Sequence, residues 1–272
     1  MRNLYAALLL FLASAMTLCS CRGADDEASD GSAFSVSTVL LRVSSEDMLP
    51  FPDSPSATRS TDVATFCDKL CLAVYSGGKL DTLALRQSSA AGFGNVSLKL
   101  KGGKYRFLLL AHNSAKAPDV TNPEKIDFGM QNVSDVLYWS DELTIVRDTS
   151  FNVSLRRAVA RVDVVTTDTI PSAVGSMYFI VTKGSYILNA LTGYGVYSGR
   201  DYKSLKIPDS LAHKPGVFSF YTFPTADEVS ASVTLRAMRI GEAGVYCSHD
   251  FKDVPLKRNT VTRLTGEFFK KQ

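Results

Sequence analysis

The feature that most restricts the fold of this chain is the arrangement of its apolar residues in short alternating runs from residue 34 onward. Residues 34–43 and 158–165 are rich in β-branched side chains, and every second residue of 96–100 is apolar. A period of two is typical of half-buried β-strands. Because no stretch keeps a 3.6-residue apolar period for long, the sequence predicts an all-β fold of roughly a dozen short strands.

Glycine pairs mark two of the predicted turns. Gly77-Gly78 separates the apolar runs 70–76 and 79–85, which is the signal of a tight hairpin. Gly102-Gly103 separates the alternating run 96–100 from a second one, 105–111. We therefore expect one β-hairpin around each glycine pair.

The predicted strands are too numerous for one simple sandwich. Short strands at regular spacing are typical of β-sandwiches, and the alternating pattern restarts near residue 156. We expect two sandwich domains, residues 34–155 and residues 156–272, with little linker between them. The side chains that we expect in the two cores include Phe107, Leu109, Val162, Phe220, Leu235 and Leu264.

Residues 1–20 have the features of an export signal. Arg2 supplies a positive charge, and an apolar run extends from Leu4 to Leu18. A run of about 15 residues is shorter than the ~20 that a membrane-spanning helix needs, and it fits the apolar part of a signal peptide. We predict that residues 1–20 are a signal peptide and not part of the fold.

Cys21 is the expected site of lipidation. Leu18 and the small Ser20 precede it, an arrangement that resembles the bacterial lipobox, in which the cysteine sulfur takes a diacylglycerol. Cys19 fits less well, because Leu18 would then occupy the position that needs a small side chain. The alternative is an ordinary secretory peptide with two incidental cysteines.

Residues 21–33 are small and acidic, which predicts a flexible tether. The cluster Asp25-Asp26-Glu27 follows Cys21 closely. Such a cluster resembles the signal that sends lipoproteins to the outer face of the outer membrane in Bacteroidota. The expected location is therefore the cell outer membrane, with a lipid anchor and surface exposure.

Charge and composition exclude two other classes of protein. The 30 Lys and Arg nearly balance the 27 Asp and Glu, whereas a nucleic-acid-binding domain is normally strongly basic. With 45% hydrophobic residues and a net charge of only +3, the chain is also unlike a disordered protein. We expect no nucleic-acid partner.

The sequence carries no recognisable catalytic motif. His112, His213 and His249 lie in different segments, and none belongs to an H-E-x-x-H pattern. A G-x-S-x-G elbow and a phosphate-binding loop are also missing from the sequence. The cluster of Cys247, His249 and Asp250 has suitable chemistry, but such triplets occur by chance in exposed strands. We expect no enzyme activity, no cofactor and no metal.

Three cysteines remain in the part of the chain that is expected to fold. Cys67 and Cys71, together with Cys247 and His249, would give a Cys3His zinc set. The C-x3-C spacing falls outside the usual spacing of structural zinc sites. We expect incidental thiols, or one disulfide among the three.

Three tripeptides resemble the short acceptor motif for O-glycosylation in exported Bacteroidota proteins. Each has an aspartate, a hydroxyl residue and an apolar residue. The hydroxyl residues are Thr82, Thr169 and Ser210.

Several segments, taken in their order, are similar to one known family. They are the lipobox with its acidic tether, the pair Thr58-Arg59, the strand and turn at 72–78, and the segments 102–107, 155–162 and 254–266. Together they resemble the FimB-like fimbrillin lipoproteins of Bacteroidales, over nearly the whole chain. The resemblance implies two transthyretin-like β-sandwich domains in tandem and a role in type V pili.

The resemblance also suggests a role for Arg59. In the fimbrillin family an Arg-specific protease removes the N-terminal segment, and a strand from a neighbouring subunit fills the groove that opens. Arg59 lies in a Pro- and Ser-rich segment after the predicted strand 34–43, so it is the expected processing residue. The alternative is an exposed loop residue without that role.

The implied function is that of an accessory subunit, an anchor or a tip, of a cell-surface fimbria assembled by β-strand exchange with other fimbrial subunits. The alternative from another class is a surface glycan-binding lipoprotein, with Trp139 and the Tyr-rich stretch 194–202 stacking on sugars. A stalk fimbrillin is the third reading. A stalk subunit usually donates a strand from a C-terminal extension, and this chain ends three residues after Phe269.

Overall fold

The computed structural model describes residues 36–46, 48–51, 58–196, 199–241 and 244–270. Strands are the main regular structure of these residues, so the prediction of an all-β fold is confirmed. In chain order the strands are β1 (Val36–Ser45), β2 (Lys69–Ser76), β3 (Lys79–Gln87), β4 (Asn95–Lys101), β5 (Gly103–His112), β6 (Ile126–Asp127), β7 (Val136–Ile145), β8 (Thr149–Arg157), β9 (Ala160–Thr166), β10 (Val174–Thr182), β11 (Gly184–Ser185), β12 (Ile187–Asn189), β13 (Tyr194–Gly195), β14 (Arg200–Lys206), β15 (Val217–Pro224), β16 (Glu228–Arg239), β17 (Val245–Lys257) and β18 (Val261–Gly266).

Helical structure in these ranges is limited to two short 3₁₀ turns, Val63–Thr65 and Asp209–Leu211. In the part of the chain that is described, no helix has the length and apolar character needed to cross a membrane.

Strands of the first half form a seven-stranded sheet in the order β3-β2-β5-β7-β8-β1-β4. β7 and β8 are joined only at Leu137 and Tyr138, which pair with Arg157 and Arg156. The sheet folds over at this narrow link. As a result, β8, β1 and β4 pack against β2, β5 and β7, and the first hydrophobic core lies between the two layers.

Eight of the strands after residue 158 form two four-stranded sheets. One has the order β14-β10-β16-β17 and the other the order β11-β15-β9-β18. Phe179 of the first and Phe220 of the second meet with ring centroids 5.0 Å apart, inside the second core. This arrangement is a second sandwich, with side chains of both sheets interdigitating.

A small third sheet, β13-β12-β6, joins the two halves of the sequence. Leu188 of β12 pairs with Ile126 of β6, and both belong to a third hydrophobic cluster that contains residues of either half. The described residues belong to one compact unit. The domain boundary between residues 155 and 156 stays a prediction, and the expected signal peptide (1–20) and tether (21–33) lie outside the described residues.

The first expected hairpin is confirmed. β2 and β3 pair antiparallel on either side of Gly77 and Gly78. These glycines have φ values of 56° and 78°, which residues with a β-carbon seldom adopt. The turn therefore follows directly from the local sequence.

The second expected hairpin, around Gly102-Gly103, is wrong. β4 pairs with β1, whereas β5 pairs with β2 and β7. Gly102 and Gly103 do not have the positive φ values that a two-residue I′ turn requires. At this point the chain crosses from one layer of the first sandwich to the other.

Five of the six expected core side chains are buried. Phe107, Leu109 and Val162 are fully buried, and Phe220 and Leu235 nearly so. Leu264 is only half-buried, because β18 lies at the edge of its sheet. It still packs against the second core.

Candidate functional site

The predicted exchange segment forms β1, and this strand is paired on both of its edges. It runs antiparallel to β4, with Val36 opposite Lys101, and parallel to β8, with Ser45 opposite Leu155. β1 is therefore an internal strand of its layer. We use the name "β1 seat" for the facing edges of β4 and β8 together with the core beneath them.

The two faces of β1 differ in burial, as the alternating sequence predicts. Val39 and Leu41 are completely buried in the first core, whereas Val36 is 57% exposed and Arg42 is exposed. Val39 and Leu41 share the first core with apolar side chains of the opposite layer, including Leu109. Removal of β1 would uncover a groove with an apolar floor and unpaired backbone groups along both sides.

The chain after β1 stays attached to the first sandwich. The N–H of Glu46 donates a hydrogen bond of 2.8 Å to the carbonyl of Leu155. Met48, which is buried in the first core, forms an isolated β-bridge with Ser60. The neighbouring Arg59, our expected processing residue, is exposed. Its cleavage stays a prediction.

A buried arginine at the end of β8 joins four segments of the chain. Arg157 forms a bidentate pair with Asp135, with both N–O distances at 2.8 Å. Its Nη1 also donates to the carbonyl of Leu49 at 3.2 Å and to Oδ1 of Asn259 at 2.6 Å. The guanidinium carbon lies 3.8 Å from the centroid of the Phe51 ring.

Because the Arg157–Asp135 ion pair is buried, its stability depends on the groups that pack around it. Burial raises the pKa of the Asp135 carboxyl, and the Arg157 guanidinium opposes that shift. A buried pair that loses one member leaves an uncompensated charge, which is costly. The contacts from Leu49 and Phe51 complete the environment of Arg157, and both come from the segment between β1 and Arg59.

Sequence reasoning missed this arginine cluster, although a signal was present. In the run from Phe151 to Arg157, the residues Val153, Leu155 and Arg157 share one face of β8, and the first two are buried in the first core. An arginine in line with two core residues indicates a buried, paired charge.

Phe51 connects the N-terminal segment to the second half of the sequence. Its side chain is only 7% exposed and belongs to the third hydrophobic cluster. It packs against Tyr221 of β15, with ring centroids 5.9 Å apart and tilted by 43°. The segment from β1 to Phe51 thus packs in two places: β1 packs in the first core, and Phe51 packs in the third cluster.

The expected glycosylation residues lie at the surface or near it. Thr169 and Ser210 are exposed, and Thr82 is half-buried on β3, where its hydroxyl donates to Asp81. The Asp168 carboxylate, by contrast, accepts the N–H groups of Phe268 and Phe269 and so has a structural role. Glycosylation stays a prediction, and the lipidation residue Cys21 lies outside the described residues.

The three histidines occupy separate places. His112 lies buried on β5, where burial lowers its pKa to about 4, and His213 lies in the turn after Asp209–Leu211. His249, on β17, donates through Nε2 to the carbonyl of Phe268 at 2.8 Å. Cys247 Sγ donates to the same carbonyl at 2.9 Å, so two residues of this local cluster hold the segment that follows β18.

The cysteines do not pair with one another. Cys67, Cys71 and Cys247 are free thiols, and burial raises the pKa of each of them. Of the two alternatives for these residues, the structure therefore has the unpaired thiols and not a disulfide. Across the described ranges, no three His, Cys, Asp or Glu residues are grouped so that they could hold a metal ion.

Two of the aromatic residues considered for glycan binding, Trp139 and Tyr194, make contacts within the fold, and Tyr197 lies outside the described residues. Trp139 is half-buried and packs against the first core. Tyr194 lies 4.1 Å beneath the guanidinium of Arg258, and its hydroxyl bonds to that residue and to Asp227.

A comparison with protein families identifies the chain. Residues 37–272 match DUF6562, which is described as a family of unknown function. The chain belongs to this family. The matched region of this DUF6562 member begins inside β1 and includes the β1 seat, Arg59 and the Arg157 cluster. Among curated proteins, none matches the chain.

Several solved structures are similar to this DUF6562 member. A candidate adhesin from Bacteroides ovatus ATCC 8483 has 12% identity and a TM-score of 0.52, covering 95% of this chain and 100% of its own. Another from Bacteroides ovatus has 9% identity and a TM-score of 0.50, covering 81% and 78%. The fimbrial anchor protein Mfa2 from Porphyromonas gingivalis has 11% identity and a TM-score of 0.44, covering 80% and 83%.

The two candidate adhesins confirm the resemblance at the level of fold: the chain has the fold of candidate adhesins from Bacteroides.

Proposed function

We propose that this chain is a structural, non-catalytic accessory subunit, an anchor or a tip, of a cell-surface fimbria assembled by β-strand exchange, and that in the tip role the β1 seat accepts the strand of a neighbouring subunit. The observation that carries the proposal is the position of β1, which is internal, paired on both edges and apolar towards the core. The fold shared with candidate adhesins supports the same class of function.

Strand exchange at this seat has a simple energetic basis. Each backbone hydrogen bond regained by an incoming strand contributes only about 1 kcal/mol net. Burial of its apolar side chains contributes more, at about 25 cal/mol per Å² of apolar surface removed from water. A replacement strand must therefore supply apolar side chains at the positions of Val39 and Leu41, which are fully buried.

Release of β1 requires a cut in the chain between β1 and β2. Hydrolysis of the Arg59–Ser60 peptide bond consumes one water and leaves a carboxylate on Arg59 and an amino group on Ser60. An anchor subunit would keep β1, whereas a tip subunit would lose it and accept a strand from its neighbour. The exposure of Arg59 supports access by a protease.

The other end of the described fold favours an accessory role over a stalk role. β18 pairs with β9 in the second sandwich. Phe268 and Phe269 are buried in the second core, and Asp168 accepts both of their N–H groups. If this segment were donated to a neighbour, the subunit would lose these contacts from its own core.

Treatment of the purified protein with an Arg-specific protease tests the proposal. The N-terminal fragment and the oligomeric state are followed together, with Arg59→Lys as a control that keeps the charge but resists the enzyme. Release of the fragment, followed by assembly with a donor subunit, supports the tip role. Resistance of Arg59, with the protein found at the fimbrial base, supports the anchor role. If a gene deletion leaves fimbria number, length and attachment unchanged, the proposed function is wrong.

We further propose that, as long as the chain is uncut at Arg59, a lipid on Cys21 holds it at the outer membrane, where it faces the outside and contacts other fimbrial subunits. The lipobox-like sequence and the acidic residues 25–27 support this location. Accessibility of the protein to an external protease on intact cells, before and after Cys21→Ser, would test it.

A further inference from the structure

The N-terminal segment that would be released in strand exchange also makes contacts outside the β1 seat. Ser45, at the end of β1, lies opposite Leu155, and Arg157 follows two residues later on the same face of β8. The Arg157 cluster therefore lies at the end of the seat. There Phe51 is held between the Arg157 guanidinium and the Tyr221 ring, which together we call the Phe51 socket.

We propose that the Phe51 socket is a second recognition point of strand exchange: a partner segment that replaces β1 must also insert an aromatic side chain there, ten residues after the residue that takes the place of Leu41. This inference rests on the proposed function and specifies the chemistry of the partner. The partner segment has apolar side chains at alternate positions in the seat and an aromatic ring at the socket.

The socket favours an aromatic side chain because of the group that forms it. Arg157 is 3% exposed, and its edge is occupied by hydrogen bonds to Asp135 and Asn259. Its flat face remains for packing, and a desolvated guanidinium stacks on aromatic rings more favourably than on aliphatic groups. Phe66, 5.5 Å from the same guanidinium, gives the cluster further aromatic surface.

The contact between Leu49 and Arg157 does not depend on which side chain is present at position 49. Leu49 contributes only its carbonyl oxygen, and its side chain is 47% exposed. Any incoming residue would supply a carbonyl at this point. Selectivity at the end of the seat therefore depends on the residue at position 51, and Leu49 offers a matched control in the same segment.

Release of the resident segment is the first test. Full-length Phe51→Ala and Leu49→Ala variants are cut at Arg59, and dissociation of the N-terminal fragment is followed in time, with Trp139 fluorescence confirming that the remainder stays folded. Because loss of a buried aromatic ring is costly, we expect release from Phe51→Ala to be at least about tenfold faster than from the unaltered protein. Release from Leu49→Ala should change less than about twofold.

Entry of a foreign segment is the second test. Labelled peptides with the sequence of residues 36–51 are added in excess to the cut protein, either unaltered or carrying Phe51→Ala, Phe51→Trp or Leu41→Ala. We expect the Phe51→Trp peptide to be retained like the unaltered one. The Phe51→Ala and Leu41→Ala peptides should both dissociate at least about tenfold faster.

The outcomes separate this inference from the proposed function. If Leu41→Ala weakens binding and Phe51→Ala does not, strand exchange stands and the socket is overturned. If the unaltered peptide does not enter the cut protein, the acceptor role and the socket both fail. If Arg59 resists the protease, hydrogen exchange of the β1 amides is compared in the uncut variants. Faster opening in Phe51→Ala than in Leu49→Ala then supports the socket, and equal opening overturns it.

Discussion

Two valines of β1 allow a matched measurement of how firmly this strand is held. Val39 is fully buried and Val36 is 57% exposed, so the same substitution can be made on opposite faces of one strand. Val→Ala removes about two methylene groups, worth about 1.6 kcal/mol when buried, and the remaining cavity adds about 1 kcal/mol. We expect Val39→Ala to lower the free energy of unfolding by about 2–3 kcal/mol. Val36→Ala should change it by less than about 0.5 kcal/mol.

Trp139 provides the signal for this measurement. It is the only tryptophan of the chain, and it packs against the same core as Val39. Equilibrium unfolding in urea, followed by tryptophan fluorescence, therefore reports on the first sandwich. With a slope of about 2 kcal/mol per M, the midpoint of Val39→Ala should fall by about 1 M. Equal midpoints for the two variants would refute the view that β1 is a packed internal strand.

Three further predictions concern other parts of the chain. Cys21→Ser should abolish incorporation of labelled palmitate, whereas Cys19→Ser should leave it intact; the reverse pattern would move the lipid to Cys19. Asp135→Asn should destabilise the protein by about 3–5 kcal/mol in thermal or urea unfolding, because Arg157 loses the carboxylate that compensates its buried charge; a loss below about 1 kcal/mol would contradict this role. Burial and, to a smaller extent, a nearby lysine lower the pKa of His112 to about 4. As the pH falls, the unfolded chain therefore binds a proton at this histidine before the folded chain does. The free energy of unfolding should fall as the pH drops from about 6.5 towards 4. His112→Gln should remove that part of the pH dependence, as seen in unfolding curves at several pH values, and an unchanged pH profile would contradict the assignment.

Local patterns were sufficient to predict most of the strands but not their partners. The turn at Gly77-Gly78 depends only on the glycines and the flanking runs, and it was predicted correctly. The turn at Gly102-Gly103 has the same local appearance. Its failure arises because β4 finds its partner in β1, more than fifty residues earlier in the chain. Pairing over such distances is decided by packing of the whole sandwich, which a local pattern does not contain.

The candidate site was predicted in part. The alternation in residues 34–43 predicted a strand with one buried face, and β1 has that property. The socket was not foreseen, since Phe51, Arg157 and Tyr221 are far apart in the sequence. Its one local signal was an arginine in register with core residues of β8. That signal indicates a buried charge but does not identify its partners.

The pairing of β1 on both edges also bears on mechanical strength. If the chain is attached to a membrane through its N-terminal end, and a pull on the fimbria runs along the axis of β1, the load enters the fold through this strand. The hydrogen bonds to β4 and β8 then bear the load together in shear, instead of opening one after another as they do when a strand is peeled from one end. Detachment under load is governed by the rate of unfolding and not by the equilibrium free energy. The contacts that hold β1 in its seat would thus also determine how long a loaded fimbria stays attached to the cell.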